Sequence, residues 1–152
     1  MKIVKGNLLK LALQGDFDVI AHGCNCHNSM VGGIALSIAT AFPQAQIADS
    51  LTSRGDINKL GTMTLTRSKC VNAKGSFTIA NLYTQYDPGP DLDYDALRLA
   101  LRKLGLMYPG CSIGLPKIGC GIGGGDWDVV EKIIAEELKG HDVTIVEFER
   151  GK

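Results

Sequence analysis

No stretch of this chain is apolar for long enough to cross a bilayer. The start, MKIVKGNLLKLAL, is only superficially like a secretion signal. Lys10 interrupts a run that is already too short, and no small-residue cleavage site follows. An excess of one charge is also missing: 16 basic residues balance 16 acidic ones. Proteins that live on nucleic-acid backbone contacts usually carry a basic excess or stripe, so polymer binding is disfavoured. The 5 cysteines are odd in number and lack small-scaffold spacing, which argues against a disulfide framework and for reduced thiols in a cytoplasmic setting. Repeats, low-complexity tracts and interdomain linkers are absent as well. What remains is an ordinary globular composition, 45% hydrophobic and 21% charged over 152 residues, expected to form one domain spanning 1–152.

The hydrophobic pattern alternates between strand-like and helix-like stretches. Residues 2–5 read as a short strand, followed by a helical turn to Leu13 that Asn7 can cap. Phe17–Ala21 is a continuous apolar run, as in a central strand covered on both faces. After a polar loop, Ile34–Phe42 reads as a helix stopped by Pro43, and Gln44–Ser53 as another. Leu60–Thr66 and Ser76–Thr84 read as strands around a turn near Ala73–Gly75, and Asp87–Pro90 is turn-rich. Asp93–Leu104 carries Leu97, Leu101 and Leu104 on one helical face. Ser112–Ile118 is strand-like, with Pro116 near its end. Trp127, Val130, Ile133, Ile134 and Leu138 give the last helix its apolar stripe before a final strand, Asp142–Phe148. This order predicts an α/β sandwich, mostly parallel in the middle. Ligands of such sheets bind beyond the carboxyl ends of the strands, where the loops 22–33 and 119–126 are expected.

The second of these loops is the most informative segment. Gly119-Cys-Gly-Ile-Gly-Gly-Gly125 holds five glycines in seven positions, between a strand and a helix. Glycine lets backbone N–H groups come right up to a ligand, and the following helix start favours phosphate oxygens. The loop matches G-x-G-x-x-G through Gly119, Gly121 and Gly124, yet only residues 126–152 follow, too few for a dinucleotide-binding unit. A phosphorylated small molecule is the expected ligand.

The first loop, His22-Gly-Cys-Asn-Cys-His27, leaves three readings open. Its histidines and cysteines could bind zinc, although Cys111 and Cys120 lack the close spacing of a second ligand pair. Cys24 or Cys26 beside His22 could be an activated nucleophile, although inert buried thiols are commoner. Asn25, with both donors and acceptors, suits paired ribose hydroxyls, and Gly32 and Gly33 allow close approach at the next helix start.

Taken in order, KGNLL, HGCNC, VGGIAL, NLYTQ and LPKIGCGIGGGDW are arranged as in macro domains, and the chain resembles the branch of ADP-ribose 1″-phosphate phosphatases and ADP-ribosyl hydrolases over essentially its whole length. The resemblance implies a three-layer α/β/α sandwich around a mixed, roughly six-stranded sheet, with ADP-ribose in a cleft above it. It places Asn7 at the adenine, Asn25, Gly32, Gly33 and Ile34 at the distal ribose with Tyr83 beside it, and Gly121, Ile122, Gly123, Gly124 and Gly125 at the diphosphate. Leu8, Cys24, Pro116, Gly119 and Cys120 complete the expected ligand-binding set. His22 matches a histidine of the phosphatase-like branch, where an imidazole can move protons near neutral pH, and Asp126 can orient water or cap the helix after it. The lysine nucleophile of some deglycosylating relatives is missing from Thr84-Gln85-Tyr86-Asp87, and Gly123 stands where their partner aspartate would. Removal of the terminal phosphate of ADP-ribose 1″-phosphate is therefore the expected reaction. The alternatives are a non-catalytic reader of ADP-ribose or ADP-ribosylated proteins, and a water-dependent mono-ADP-ribosyl hydrolase. No cofactor or metal is called for, and the expectation is compatible with a monomer.

Overall fold

Alternating apolar and helical periods require a sheet with helices on both faces, and the computed structural model, which describes residues 1–71 and 74–151, has that architecture. The strands are β1 (Lys2–Gly6), β2 (Val19–Cys24), β3 (Met63–Lys69), β4 (Ser76–Tyr83), β5 (Ser112–Leu115) and β6 (Asp142–Phe148). The helices are α1 (Leu8–Leu13), α2 (Gly33–Ala41), α3 (Pro43–Ser50), α4 (Tyr94–Met107) and α5 (Trp127–Glu137), with one 3-10 turn at Ile57–Lys59. The six-stranded sheet runs β1-β6-β5-β2-β4-β3. Every neighbouring pair is parallel except β3 with β4, so the sheet is mixed as expected.

Side-chain alternation along the central strands builds two cores. Val19 and Ala21 of β2, Ala80 and Leu82 of β4, and Ile113 and Leu115 of β5 pack against Leu97, Leu101 and Leu104 of α4 and Val130, Ile133 and Ile134 of α5. On the opposite face, Ile20, Phe77, Ile79 and Val146 meet Leu8 and Ala12 of α1, Ile38 of α2 and Ala45 of α3. The result is three layers, with α1, α2 and α3 on one side and α4 and α5 on the other.

The boundaries differ from the sequence pattern in instructive places. The second strand does not end at Ala21. It continues through His22, Gly23 and Cys24 because β4 pairs with it as far as Cys24↔Tyr83. The fifth strand stops at Leu115, where Pro116 offers no ladder donor and its carbonyl instead accepts the Ile118 N–H at 2.7 Å. Pro43 opens a helix as well as closing one, taking the first helical turn of α3, where its missing N–H costs nothing. The third strand starts three residues later than the apolar run, at Met63, because Gly61 turns with φ +80°. The turn expected near Ala73–Gly75 falls partly on residues 72–73, outside the described residues.

No helix among the described residues is long and apolar enough to cross a membrane. Leu101 is fully buried between α4 and the sheet. Leu101→Ala is expected to lower unfolding stability by about 2–5 kcal/mol, read as a shift in urea midpoint at unchanged slope.

Candidate ligand cleft

Because β2 and β5 are adjacent and parallel, their following loops leave the same edge of the sheet side by side. The loops meet directly. A Cβ on Gly32 would lie 3.0 Å from Ile122 Cδ1, and one on Gly33 3.3 Å from the same atom. The exposed Ile122 side chain therefore crosses from the second loop onto the glycines of the first. A side chain at 32 or 33 would require the Ile122 tip to shift.

Most glycines of the 119–125 loop serve the loop itself. Gly119 and Gly124 sit at φ +74° and +73°, in the left-handed region. Added Cβ atoms on Gly123 and Gly125 would strike the Gly119 carbonyl at 2.7 and 2.8 Å, while the Gly125 N–H donates to that same carbonyl at 2.8 Å. Gly121 is different, since a Cβ there would meet nothing within 4 Å. The N–H groups of Gly121, Ile122 and Gly123 have no acceptor among the described residues. Tight winding thus leaves consecutive donors free beside an open position.

The first loop is held from within and from below. Asn25 Nδ2 donates to the Ser29 carbonyl at 3.0 Å, and Asn25 Oδ1 accepts the His27 N–H at 2.9 Å. Asn28 takes φ +55°, a strained choice for a non-glycine residue. Its amide donates to the Thr52 carbonyl at 2.9 Å, and its Oδ1 accepts from Lys59 Nζ at 2.6 Å. The buried Lys59 ammonium also donates to the Cys26 carbonyl at 3.1 Å and lies 4.9 Å from the Tyr83 ring centroid. Tyr83 Oη in turn donates to Asp49 Oδ1 at 2.7 Å. Burial pushes the Tyr83 phenol and the Asp49 carboxyl upward. Lys59, Asn28, Asp49 and Thr52 escape a sequence reading, because isolated polar residues in a loop-rich stretch carry no periodic or spacing signal.

His22 and Cys24 form the floor of the site. On β2 they alternate with Ala21 and so face α3 rather than α4 and α5. His22 is fully buried and its Nε2 donates to Asn81 Oδ1 at 2.6 Å, while Asn81 Nδ2 donates to the Ala45 carbonyl at 2.9 Å. Burial lowers the His22 pKa from 6.5 to about 4, against the opposing effect of the Asn81 hydrogen bond. Cys24 Sγ lies 3.7 Å from His22 Nε2, but burial, reinforced by Asp49, pushes its thiol well up. Burial likewise raises Cys26. His22 and Cys24 thus lie beneath the surface of the cleft, and burial disfavours both the imidazolium and the thiolate that proton transfer or nucleophilic attack would use.

Asp126 belongs to the opposite layer. Its Oδ1 accepts the Asp128 N–H at 2.9 Å as the N-cap of α5, and its own N–H donates to Tyr94 Oη at 3.0 Å. His22 and Asp126 therefore lie on different faces of the sheet and do not form a pair. Asn7 caps α1, its Oδ1 accepting from Leu9 and Lys10 N–H groups at 3.1 and 3.2 Å, and its amide NH₂ has no acceptor among the described residues. The Leu8, Cys24 and Tyr83 side chains are core residues, so only their backbones can meet a ligand. Ile34 packs on the α1–α3 core and Cys120 on the α4–α5 core, both partly buried. Pro116 is partly buried at the β5 exit.

This arrangement coincides with a known family. The family model described as the Macro domain matches residues 21–134, and the chain belongs to the macro domain family. An uncharacterised 17.5 kDa protein of Enterobacteria phage T4 is 38% identical, covering 98% of this chain and 97% of its own length. An ADP-ribose 1″-phosphate phosphatase of Candida albicans is 27% identical over 90% of this chain and 92% of its own length. Among solved structures, Thermosipho africanus DarTG in complex with ADP-ribose superposes with a TM-score of 0.75 at 14% identity, covering 99% of this chain and 42% of the other, a likeness of fold alone.

The buried His22 has a consequence for acid stability. Between pH 6.5 and about 4 the unfolded chain takes up a proton that the folded chain refuses. The stability His22 confers is complete above pH 6.5 and is lost as pH falls through about 4. A shift of this size corresponds to about 3 kcal/mol. Urea midpoints between pH 7 and 4.5 are expected to fall more steeply for the wild type than for His22→Asn; parallel pH dependences would refute the assignment.

Proposed function

We propose that the cleft between the 25–33 and 116–126 loops binds ADP-ribose derivatives, and that the chain removes the terminal phosphate of ADP-ribose 1″-phosphate. The observation that carries this reading is the meeting of the two loops at Ile122 and Gly32–Gly33, beside the free N–H groups of Gly121, Ile122 and Gly123. Consecutive backbone donors suit a diphosphate, and each bond to a charged oxygen contributes about 1.5–3 kcal/mol. The Candida albicans relative, a phosphatase by name, supports the substrate class.

In this reading the nucleotide lies along the carboxyl edge of the sheet. Asn7 meets the adenine with its uncommitted amide, and the Leu8 N–H lies beside it. The 119–125 loop takes the diphosphate. Asn25, Gly32, Gly33 and Ile34 surround the distal ribose, while Lys59 holds that loop in shape from beneath. Asp126 caps α5 through Oδ1, which leaves Oδ2 free to orient water. Because His22 is buried and neutral, a second reading has a specific basis: recognition of ADP-ribose without turnover.

Calorimetry with ADP-ribose and phosphate release from its 1″-phosphate separate the two. Binding with release supports the phosphatase; binding without release supports the reader; no binding overturns both. Gly121→Ala probes the loop directly, since the methyl group meets no protein atom. Its thermal stability is expected to stay near wild type while ADP-ribose affinity falls about tenfold, or about 1.4 kcal/mol. Unchanged affinity would place the diphosphate elsewhere.

A further inference from the structure

The strand order sets a direction along the cleft. Passing from β1 through β5 to β2, one meets Asn7, then the 119–125 loop, then Asn25. The next strand is β4, and the loop after it lies beyond the distal ribose. Pairing continues there past the named strands: the Thr84 N–H donates to the Cys24 carbonyl at 3.2 Å and the Cys26 N–H to the Tyr86 carbonyl at 2.9 Å. The same loop is tied to the glycine loop, with the Leu92 N–H donating to the Gly123 carbonyl at 3.1 Å. In the ADP-ribose reading, a substituent on the far side of the distal ribose would face residues 85–91.

That rim holds a second histidine. His27 Nε2 lies 3.0 Å from Asp87 Oδ1, with side-chain exposures of 29% and 63%. The ring is fixed edge-on to Tyr86, centroids 4.7 Å apart, and Tyr86 Oη donates to the Gly55 carbonyl at 2.8 Å. Asp87 is held in turn: its N–H donates to Asp91 Oδ2 at 2.8 Å, and its carbonyl accepts from Gln85 Nε2 at 2.8 Å. His27 Nδ1 has no partner among the described residues. A Cβ on Gly55, at φ +74°, would lie 3.7 Å from that nitrogen, so glycine there keeps the space beside it open. A carboxylate on one ring nitrogen, with the other free, is an arrangement suited to acid–base work.

We infer that His27, oriented by Asp87, is the proton-transfer group for the substituent on the distal ribose, an assignment that rests on the ADP-ribose reading above. With ADP-ribose 1″-phosphate, water oxygen bonds to phosphorus and the bond from phosphorus to the ribose oxygen breaks. The ribose oxygen keeps the electron pair and takes the proton from His27 Nδ1. The attacking water releases its proton to solvent, from which the imidazole is recharged, giving inorganic phosphate and ADP-ribose. Asp87 is a positioning residue: it fixes the ring and offsets the imidazolium charge.

The test compares wild type, His27→Gln, Asp87→Asn and Asp87→Glu by phosphate release from ADP-ribose 1″-phosphate and by calorimetry with ADP-ribose. His27→Gln is expected to lower kcat about 100-fold, with KM and ADP-ribose affinity within about threefold. Asp87→Asn should lower kcat about tenfold, and Asp87→Glu should recover part of that loss. Unchanged kcat in His27→Gln, or a loss of affinity equal to the loss of rate, overturns the assignment. Wild-type binding without phosphate release removes the assignment and the phosphatase together but leaves recognition standing. Absence of ADP-ribose binding removes the reading beneath both.

Discussion

The position of β2 governs the rest of the molecule. It is paired in parallel with β5 on one side and β4 on the other, and both of its faces are covered by helices. Neither face is left to water and β4 pairs along its whole length, so its register cannot slip without turning core residues outward. That fixed register carries His22 and Cys24 to the sheet's carboxyl end and delivers three loops to one edge. The cleft is a by-product of burying this strand.

Two kinds of glycine separate the work of folding from that of binding. Gly123 and Gly125 let the second loop wind against its own Gly119 carbonyl, and Gly119 and Gly124 supply left-handed turns. These are requirements of shape. Gly121 has no such requirement, and it lies among the unpaired amides. The same division holds in the first loop, where Asn25 and Asn28 spend their amides on the backbone and on Lys59, while Gly32 and Gly33 make room for Ile122.

The layers and nearly every element were legible in the sequence, because each follows from local periodicity. The apolar run at Phe17–Ala21 and the leucine stripe of α4 leave little choice. The second strand's true end was not legible: only the partner strand, at Tyr83, decides that Cys24 is still paired. The family motifs pointed to the family and its fold, while the burial of His22 was not legible, since a sequence does not tell a histidine facing a cleft from one beneath it. Asn81, its partner, is 59 residues away. Lys59 was invisible for the same reason: its contacts with Cys26 and Asn28 are long-range.

The reach of Ile122 onto Gly32 and Gly33 also bears on access to the cleft. In the ADP-ribose reading, this apolar bridge from lip to lip would turn an elongated guest toward the strand ends, or would have to swing aside. The bridge rests on glycines, with no side chain to latch it. In that reading, grip would fall to the amides and exchange to a single branched hydrocarbon.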